Sequence, residues 1–288
     1  VDCNLYRPYK GEFGSLSVVW TRQPASYVPL AGLTHSRAME KREIERIDQF
    51  IKSPAMIAQL PVHDPFLQLP KRYDRCAVVG NSGILLNSGL GADIDSHDMV
   101  MRFNWPPIAG FEKDVGSKTT HVLVNRKSLF HSQWPPYQSY RDYNRNTTTV
   151  LAMLHFIEEF SAWLQFAARP GTPRTMIVTP DFRRLATATI ADAMDAKQRK
   201  KLKTVIASSG GVGTLLSLFA CNHVTIMGFG ASVHSGNGHY WVEPGKVTRE
   251  WKIHDFSAEQ QFFRLVEKGD FYPDYLISEN RSRTTLNF

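Results

Sequence analysis

The 288 residues, 42% hydrophobic and 11% aromatic, suffice to bury one large core or two small ones. Three cysteines exclude a disulfide-dense scaffold, no apolar stretch is long enough to span a bilayer, and no signal peptide is visible at Val1. A net charge of +7 suits an anionic ligand, an anionic acceptor or a nucleic acid, but the basic residues are dispersed; the one short run, Arg199-Lys200-Lys201 with Lys203, reads as a solvated helix end and not as a nucleic-acid patch.

Val1 to Leu33 contains proline and tyrosine with little periodicity. Thr34 to Ser53 reads as a helix, with Ile44, Ile47, Phe50 and Ile51 at helical spacing and an apolar stripe to pack on the main body. Pro54 to Arg72 is rich in proline. Residues 1–72 are therefore expected to form an N-terminal extension or stem remnant with one helix packed on the core, and residues 73–288 a single α/β domain. The start at Val1 without methionine suggests a trimmed chain and leaves room for a membrane anchor upstream.

From Cys76 onward strand-like and helical runs alternate, which predicts a mainly parallel sheet covered on both faces. The predicted strands are Cys76–Val79, Met99–Phe103, Thr120–Val124, Thr149–Met153, Met176–Val178 and Val224–Met227; the predicted helices are Ile157–Ala168, Phe182–Leu202 and Val212–Cys221. The first strand runs into Gly80-Asn81-Ser82-Gly83, a turn whose backbone N–H groups can approach a ligand closely. Its spacing is not GxGxxG, and a purely structural turn explains it equally well. A second small-residue turn, Ser208-Ser209-Gly210-Gly211, is expected just before a helix, where free N–H groups attract a phosphate or carboxylate. Cys76 and Cys221 each sit beside a predicted strand and such a turn, so they could meet across one sheet, as in a protein matured in an oxidising compartment. Two glycosylation sequons, Asn146-Thr147-Thr148 and Asn280-Arg281-Ser282, agree with that compartment.

Two C-terminal segments carry candidate chemistry: His239-Tyr240-Trp241, and His254 through Glu259. In the second, Asp255 or Ser257 can cap a helix, with Gln260 completing a capping box with Ser257, which holds His254 in the preceding loop as a base that works near neutral pH. With ten histidines in the chain, spacing alone does not single out His254. Asp93-Ile94-Asp95 superficially matches a metal-binding DxD, yet reads as a turn and helix cap. No GxSxG, HExxH or P-loop is present, so serine hydrolases, zinc proteases and P-loop nucleotidases have no anchor.

These segments together resemble the four motifs of the eukaryotic-type sialyltransferases. The long motif is similar to Cys76 through Asn125, with CAVVGNSG, IDSHD, the RFN at Arg102 to Asn104, and DVGSKTTH; the short motif resembles Ser208 to Gly230; the third resembles His239-Tyr240-Trp241; and the very short motif resembles His254 to Glu259. The wording is most similar to the branch that makes α2,3 links to galactose. The resemblance implies a GT-A-like single α/β domain, a CMP-sialic acid donor, a glycan acceptor on glycoprotein or glycolipid, no cofactor, no metal, and a type II Golgi membrane protein. Carried over by residue, it implies that Asn81 and Asn104 contact the donor's phosphate and ribose, that Ser208, Ser209 and Gly210 line the cytidine and sialic acid site, and that Ser128 contacts the nucleotide. It further implies that His239 supports the departing phosphate, that His254 is the general base, and that Cys76 and Cys221 form a disulfide. In that frame Asp93 and Asp95 belong to the long motif and are not a metal clamp.

Three departures stand out. Ile206-Ala207 replaces a Tyr-Pro pair expected near the acceptor, Cys3 has no evident partner, and Trp105-Pro106-Pro107 adds bulk after Asn104. They leave open a relative that transfers Kdo or another CMP-linked ulosonic acid to a cell-wall or glycolipid acceptor, or a non-catalytic glycan-binding relative.

Overall fold

The computed structural model describes residues 17–22, 41–67, 72–125, 128–129, 143–194, 207–230, 238–242, 254–268 and 283–287. Its elements in chain order are α1 (Lys41–Ile51), α2 (Pro54–Gln59), β1 (Tyr73–Val79), α3 (Gly91–Asp95), β2 (Met99–Phe103), α4 (Glu112–Val115), β3 (His121–Asn125), β4 (Thr149–Met153), α5 (Ile157–Ala167), β5 (Arg174–Ile177), α6 (Pro180–Asp192), α7 (Ser209–Ala220), β6 (Cys221–Met227), α8 (Phe256–Lys268) and β7 (Arg283–Asn287). The strands make one seven-stranded sheet in the order β5-β4-β3-β2-β1-β6-β7, and every pairing is parallel.

Near-continuous apolar runs suit strands covered on both faces, and the two-residue side-chain period divides them. Cys76, Val78, Met101, Leu123, Leu151 and Ile226 enter one core, with residues of α6, α7 and α8. Their neighbours Val122, Val124, Val150 and Ile177 enter another, where Ile47 and Ile51 of α1 meet Phe160 and Trp163 of α5. Ala77, Val79 and Val100 close a third with Ile94, Val115 and Tyr240. The expected α/β architecture with a parallel sheet between helices is what the chain adopts.

Two predicted strands, Met99–Phe103 and Thr149–Met153, have their expected limits. Helix α7 begins at Ser209, three residues before the expected Val212: Ser208 is its N-cap, and its hydroxyl accepts from Gly211 N at 3.2 Å. The small-residue turn is thus the first turn of the helix itself. At α8, Asp255 does the capping, accepting from Ala258 N at 3.0 Å. Gln260 does not complete a capping box with Ser257; its amide donates to Phe229 O at 2.7 Å instead. Strand β7 has no counterpart among the predicted strands. The basic run 199–203, the second sequon, Cys3 and Ile206 lie outside the described residues, as does the C-terminal part of the helix expected to reach Leu202.

Cys76 and Cys221 form a disulfide with a Cα–Cα distance of 6.2 Å. It ties β1 to the α7–β6 junction across a sequence separation of 145 residues, a long loop whose closure strongly restricts the unfolded chain. Replacing both cysteines by serine is expected to lower the unfolding free energy by about 3–5 kcal/mol, read from denaturant titrations; equal midpoints with and without the bridge would refute this.

Candidate active site

The turn after β1 and the loops after β2 and β3 all leave the carboxyl ends of their strands, where open parallel sheets place ligands. The Asn81 side-chain amide donates to Phe103 O at 3.0 Å, which holds the turn against the end of β2. Its Oδ1 is buried and accepts no hydrogen bond among the described residues, so the side chain offers an acceptor to a ligand's donor. The next strand continues the line: Asn104 Oδ1 accepts from Asn125 N at 3.0 Å, and Asn125 Oδ1 accepts from Ser128 N at 3.0 Å. Asn81, Asn104 and Ser128 are therefore linked through three neighbouring strand ends.

The two histidine segments reach this rim by different routes. His239 forms an antiparallel bridge with Ser82, and Tyr240 N donates to Asn81 O at 3.0 Å, so the third segment lies along the first turn. His239 stacks on Trp241, ring centroids 4.6 Å apart. His254 lies at the start of α8. Five residues on, Glu259 accepts from Ser208 N at 2.6 Å and from Ser208 Oγ at 2.8 Å. The base candidate and the N-terminus of α7 are thereby fixed to one another through a single buried carboxylate. Burial pushes the Glu259 carboxyl up to about 7, against the two hydrogen bonds from Ser208 that favour its ionised form.

Phe229 joins the two halves. Its ring meets Phe103 at 5.8 Å and Phe263 at 5.3 Å between centroids. Glycine is required on either side of it: a Cβ at Gly80 would lie 2.2 Å from Gly228 O, and one at Gly210 would lie 2.4 Å from the Phe229 ring. These close approaches explain why both turns consist of small residues.

The loop after β2 is strained and clamped. Asn104 and Trp105 have φ of 61° and 55°, the left-handed region that costs a non-glycine residue roughly 1–3 kcal/mol. Two tyrosine hydroxyls hold the segment beyond: Tyr143 donates to Pro106 O at 2.6 Å and Tyr240 to Pro107 O at 2.5 Å. Trp105 is buried against the Tyr143 ring at 5.1 Å. Arg102, fully buried, donates to Thr119 Oγ1 at 2.9 Å and to the carbonyls of Val115 and Lys118 at 2.7 and 2.9 Å, and burial lowers its pKa. It holds in place the DVGSK segment that leads into the amino end of β3.

Asp93 and Asp95 lie in α3. Asp95 accepts from Ser117 N, Ser117 Oγ and Lys118 N at 2.8–3.0 Å, and these bonds hold its pKa down against the desolvation that would raise it. Asp93 faces Arg75 at 3.9 Å. Both aspartates have structural partners.

The sequence singles out every residue of this rim that lies in the four motifs. It does not expose the partnership of Glu259 with Ser208, although the His-x4-Glu spacing is visible, nor the clamp by Tyr143, for which no local signal exists.

Residues 32–270 match the family described as glycosyltransferase family 29 (sialyltransferase). The chain belongs to that family. It is 28% identical over 267 residues to the CMP-N-acetylneuraminate-beta-galactosamide-alpha-2,3-sialyltransferase 2 of Mus musculus, an alignment covering 89% of this chain and 72% of the relative. It is 36% identical over 194 residues to CMP-N-acetylneuraminate-beta-galactosamide-alpha-2,3-sialyltransferase 1 of Homo sapiens, covering 64% of this chain and 53% of that one. Among solved structures, a mammalian sialyltransferase in complex with Gal-beta-1-3GalNAc-ortho-nitrophenol shares the fold with a TM-score of 0.55 at 23% identity, covering 90% of each chain. As a family 29 member this chain is a glycosyltransferase of the sialyltransferase type.

Proposed function

We propose that the chain transfers sialic acid from CMP-sialic acid to a terminal galactose hydroxyl of a glycan, with inversion and without a metal. The observation that carries this reading is the convergence of four sequence-distant segments: His239 is bridged to the Asn81 turn, and the helix that follows His254 is bonded through Glu259 to the Ser208 turn. The donor chemistry follows from the rim. The buried Asn81 Oδ1 and the clamped Asn104 would take the ribose and phosphate region, with Ser128 near the nucleotide. Ser209 and Gly210 supply N–H groups at the start of α7, which as a helix N-terminus favours negative charge. His254 takes the proton of the acceptor hydroxyl as its oxygen attacks the anomeric carbon from the face opposite CMP. The C–O bond to the phosphate breaks, and the charge gathering on CMP is stabilised by His239 and the turn N–H groups. The names of the mouse and human relatives support galactoside acceptors and α2,3 linkage.

A donor panel tests the reading. CMP-sialic acid and CMP-Kdo are each offered with galactosides, and released CMP is measured. Turnover of CMP-sialic acid is expected. Turnover of CMP-Kdo alone would move the chain to the ulosonic acid reading opened by Ile206-Ala207, and no turnover with no CMP-induced rise in melting temperature would remove the transferase reading. Transfer is expected to persist in excess chelator; strict dependence on manganese would restore Asp93 and Asp95 as ligands.

The tyrosine clamp gives a sharper prediction. Tyr143→Phe keeps the ring against Trp105 but removes the donor to Pro106 O, so the strained turn that presents Asn104 loses one support. CMP affinity is expected to fall about fivefold, the equivalent of one hydrogen bond of about 1 kcal/mol. Titration of the variant with CMP checks it. Unchanged affinity beside a weakened Asn104→Ala would show that the turn holds itself.

The family and the disulfide also support a lumenal, Golgi placement with an N-terminal anchor; no helix among the described residues is long and apolar enough to cross a membrane.

A further inference from the structure

We infer that Asn146 carries an N-linked oligosaccharide, attached before β4 pairs with β3. The sequon Asn146-Thr147-Thr148 occupies the turn that feeds β4, and Asn144 to Thr147 are all exposed. Asn144 organises the turn: its Oδ1 accepts from Asn146 N at 3.0 Å, and its carbonyl accepts from Thr148 N at 2.8 Å. The Asn146 side-chain amide makes no hydrogen bond among the described residues, so none of them engages the atom to be modified.

The turn lies at the amino ends of the strands, whereas Asn81, Asn104 and Ser128 follow their carboxyl ends. The five residues of β4 put about 16 Å of strand between the two edges, so an oligosaccharide on Asn146 projects from the edge opposite the donor rim. The disulfide between Cys76 and Cys221 requires an oxidising compartment, in which oligosaccharide transfer to sequons takes place. The inference rests on that lumenal placement and not on the donor chemistry.

Thr148 sets the order of events. A transferring enzyme reads the sequon threonine, but Thr148 is 2% exposed and its hydroxyl donates to Thr119 O at 3.0 Å. In the folded molecule half of the recognition signal is hidden while Asn146 remains outside. Modification therefore belongs to the unfolded chain. In the step itself Asn146 Nδ2 forms a bond to the anomeric carbon of a polyprenyl-diphosphate oligosaccharide, that carbon's bond to the diphosphate oxygen breaks, and the amide loses one proton to the transferring enzyme.

The chain is secreted from a eukaryotic host, and the peptide holding Asn146 is sequenced by mass spectrometry after enzymatic glycan release, which converts an occupied Asn146 to aspartate. Occupancy is expected, and a wild-type peptide found only as asparagine overturns the inference. Asn146→Gln is expected to remove that glycan and to change kcat/KM by no more than about twofold, as for a surface substitution. Asn146→Gln that retains the modified peptide signal would also refute the assignment. The order is tested with unglycosylated protein offered to rough microsomes. The reduced, unfolded chain is expected to be modified and the folded, disulfide-bonded chain to be refused; equal modification of both would refute the role given to Thr148.

Discussion

His254→Ala is expected to reduce transfer by about 10²–10⁴-fold, the usual contribution of a positioned acid or base, while CMP binding persists. The split follows from position. His254 precedes α8, whereas the turns assigned to CMP belong to β1, β2 and α7; truncating the imidazole removes the proton acceptor and leaves those turns in place. Loss of turnover at constant CMP affinity marks an interaction made in the chemical step. Turnover against pH, together with calorimetric titration of CMP, reads both halves. Wild-type turnover in the variant would take His254 out of the mechanism, and equal loss of CMP affinity would make it a binding residue.

The second large effect falls on Glu259. Glu259→Ala leaves Ser208 N and Oγ buried without their acceptor, at a cost of about 1–3 kcal/mol for each unsatisfied group, and releases α8 from the start of α7. Stability and CMP affinity are both expected to fall, since one carboxylate supports both elements. Glu259→Gln retains an acceptor and is expected to be milder. The pH dependence follows from the raised pKa. With the carboxyl near 7 in the folded chain against an ordinary 4.5, the folded state binds more protons than the unfolded state between those values, so stability falls as pH rises through that window. The full swing is on the order of 3 kcal/mol. Denaturant midpoints of wild type and Glu259→Gln at pH 5 and pH 8 isolate it: the wild type is expected to lose stability relative to the variant as pH rises. Parallel curves would show that Glu259 titrates alike in both states.

Much of the sheet is legible because six of its strands are apolar runs bounded by small or polar residues, and in a buried parallel sheet those runs need no partner to be recognised. Strand β7 escapes this test: Arg-Thr-Thr-Leu-Asn has no apolar run, and its strand character comes from the pairing of Thr284 to Asn287 with Val224 to Met227. The start of α7 is misplaced because Ser208-Ser209-Gly210-Gly211 has turn composition, yet the Ser208 cap and the Glu259 carboxylate commit it to helix. The same reason hides the Glu259 contact. A buried carboxylate is legible as an anomaly only when its burial is known, and its partner lies 51 residues away in the chain. Tyr143 is hidden in the same way, 37 residues from Pro106.

The position of β1 has a consequence for how the molecule comes to exist. It lies inside the sheet between β2, which follows closely in the chain, and β6, whose Val224 pairs with Cys76. When β1, β2 and β3 have left the ribosome, one side of β1 has only an open row of N–H and C=O groups, and Cys76 has no Cys221. The centre of this sheet therefore waits until the chain has reached Cys221, 145 residues beyond Cys76. Such non-local closure makes for slow folding and a long-lived sticky edge, so yield in a heterologous host should depend more on chaperones and oxidising conditions during synthesis than on the stability of the finished fold.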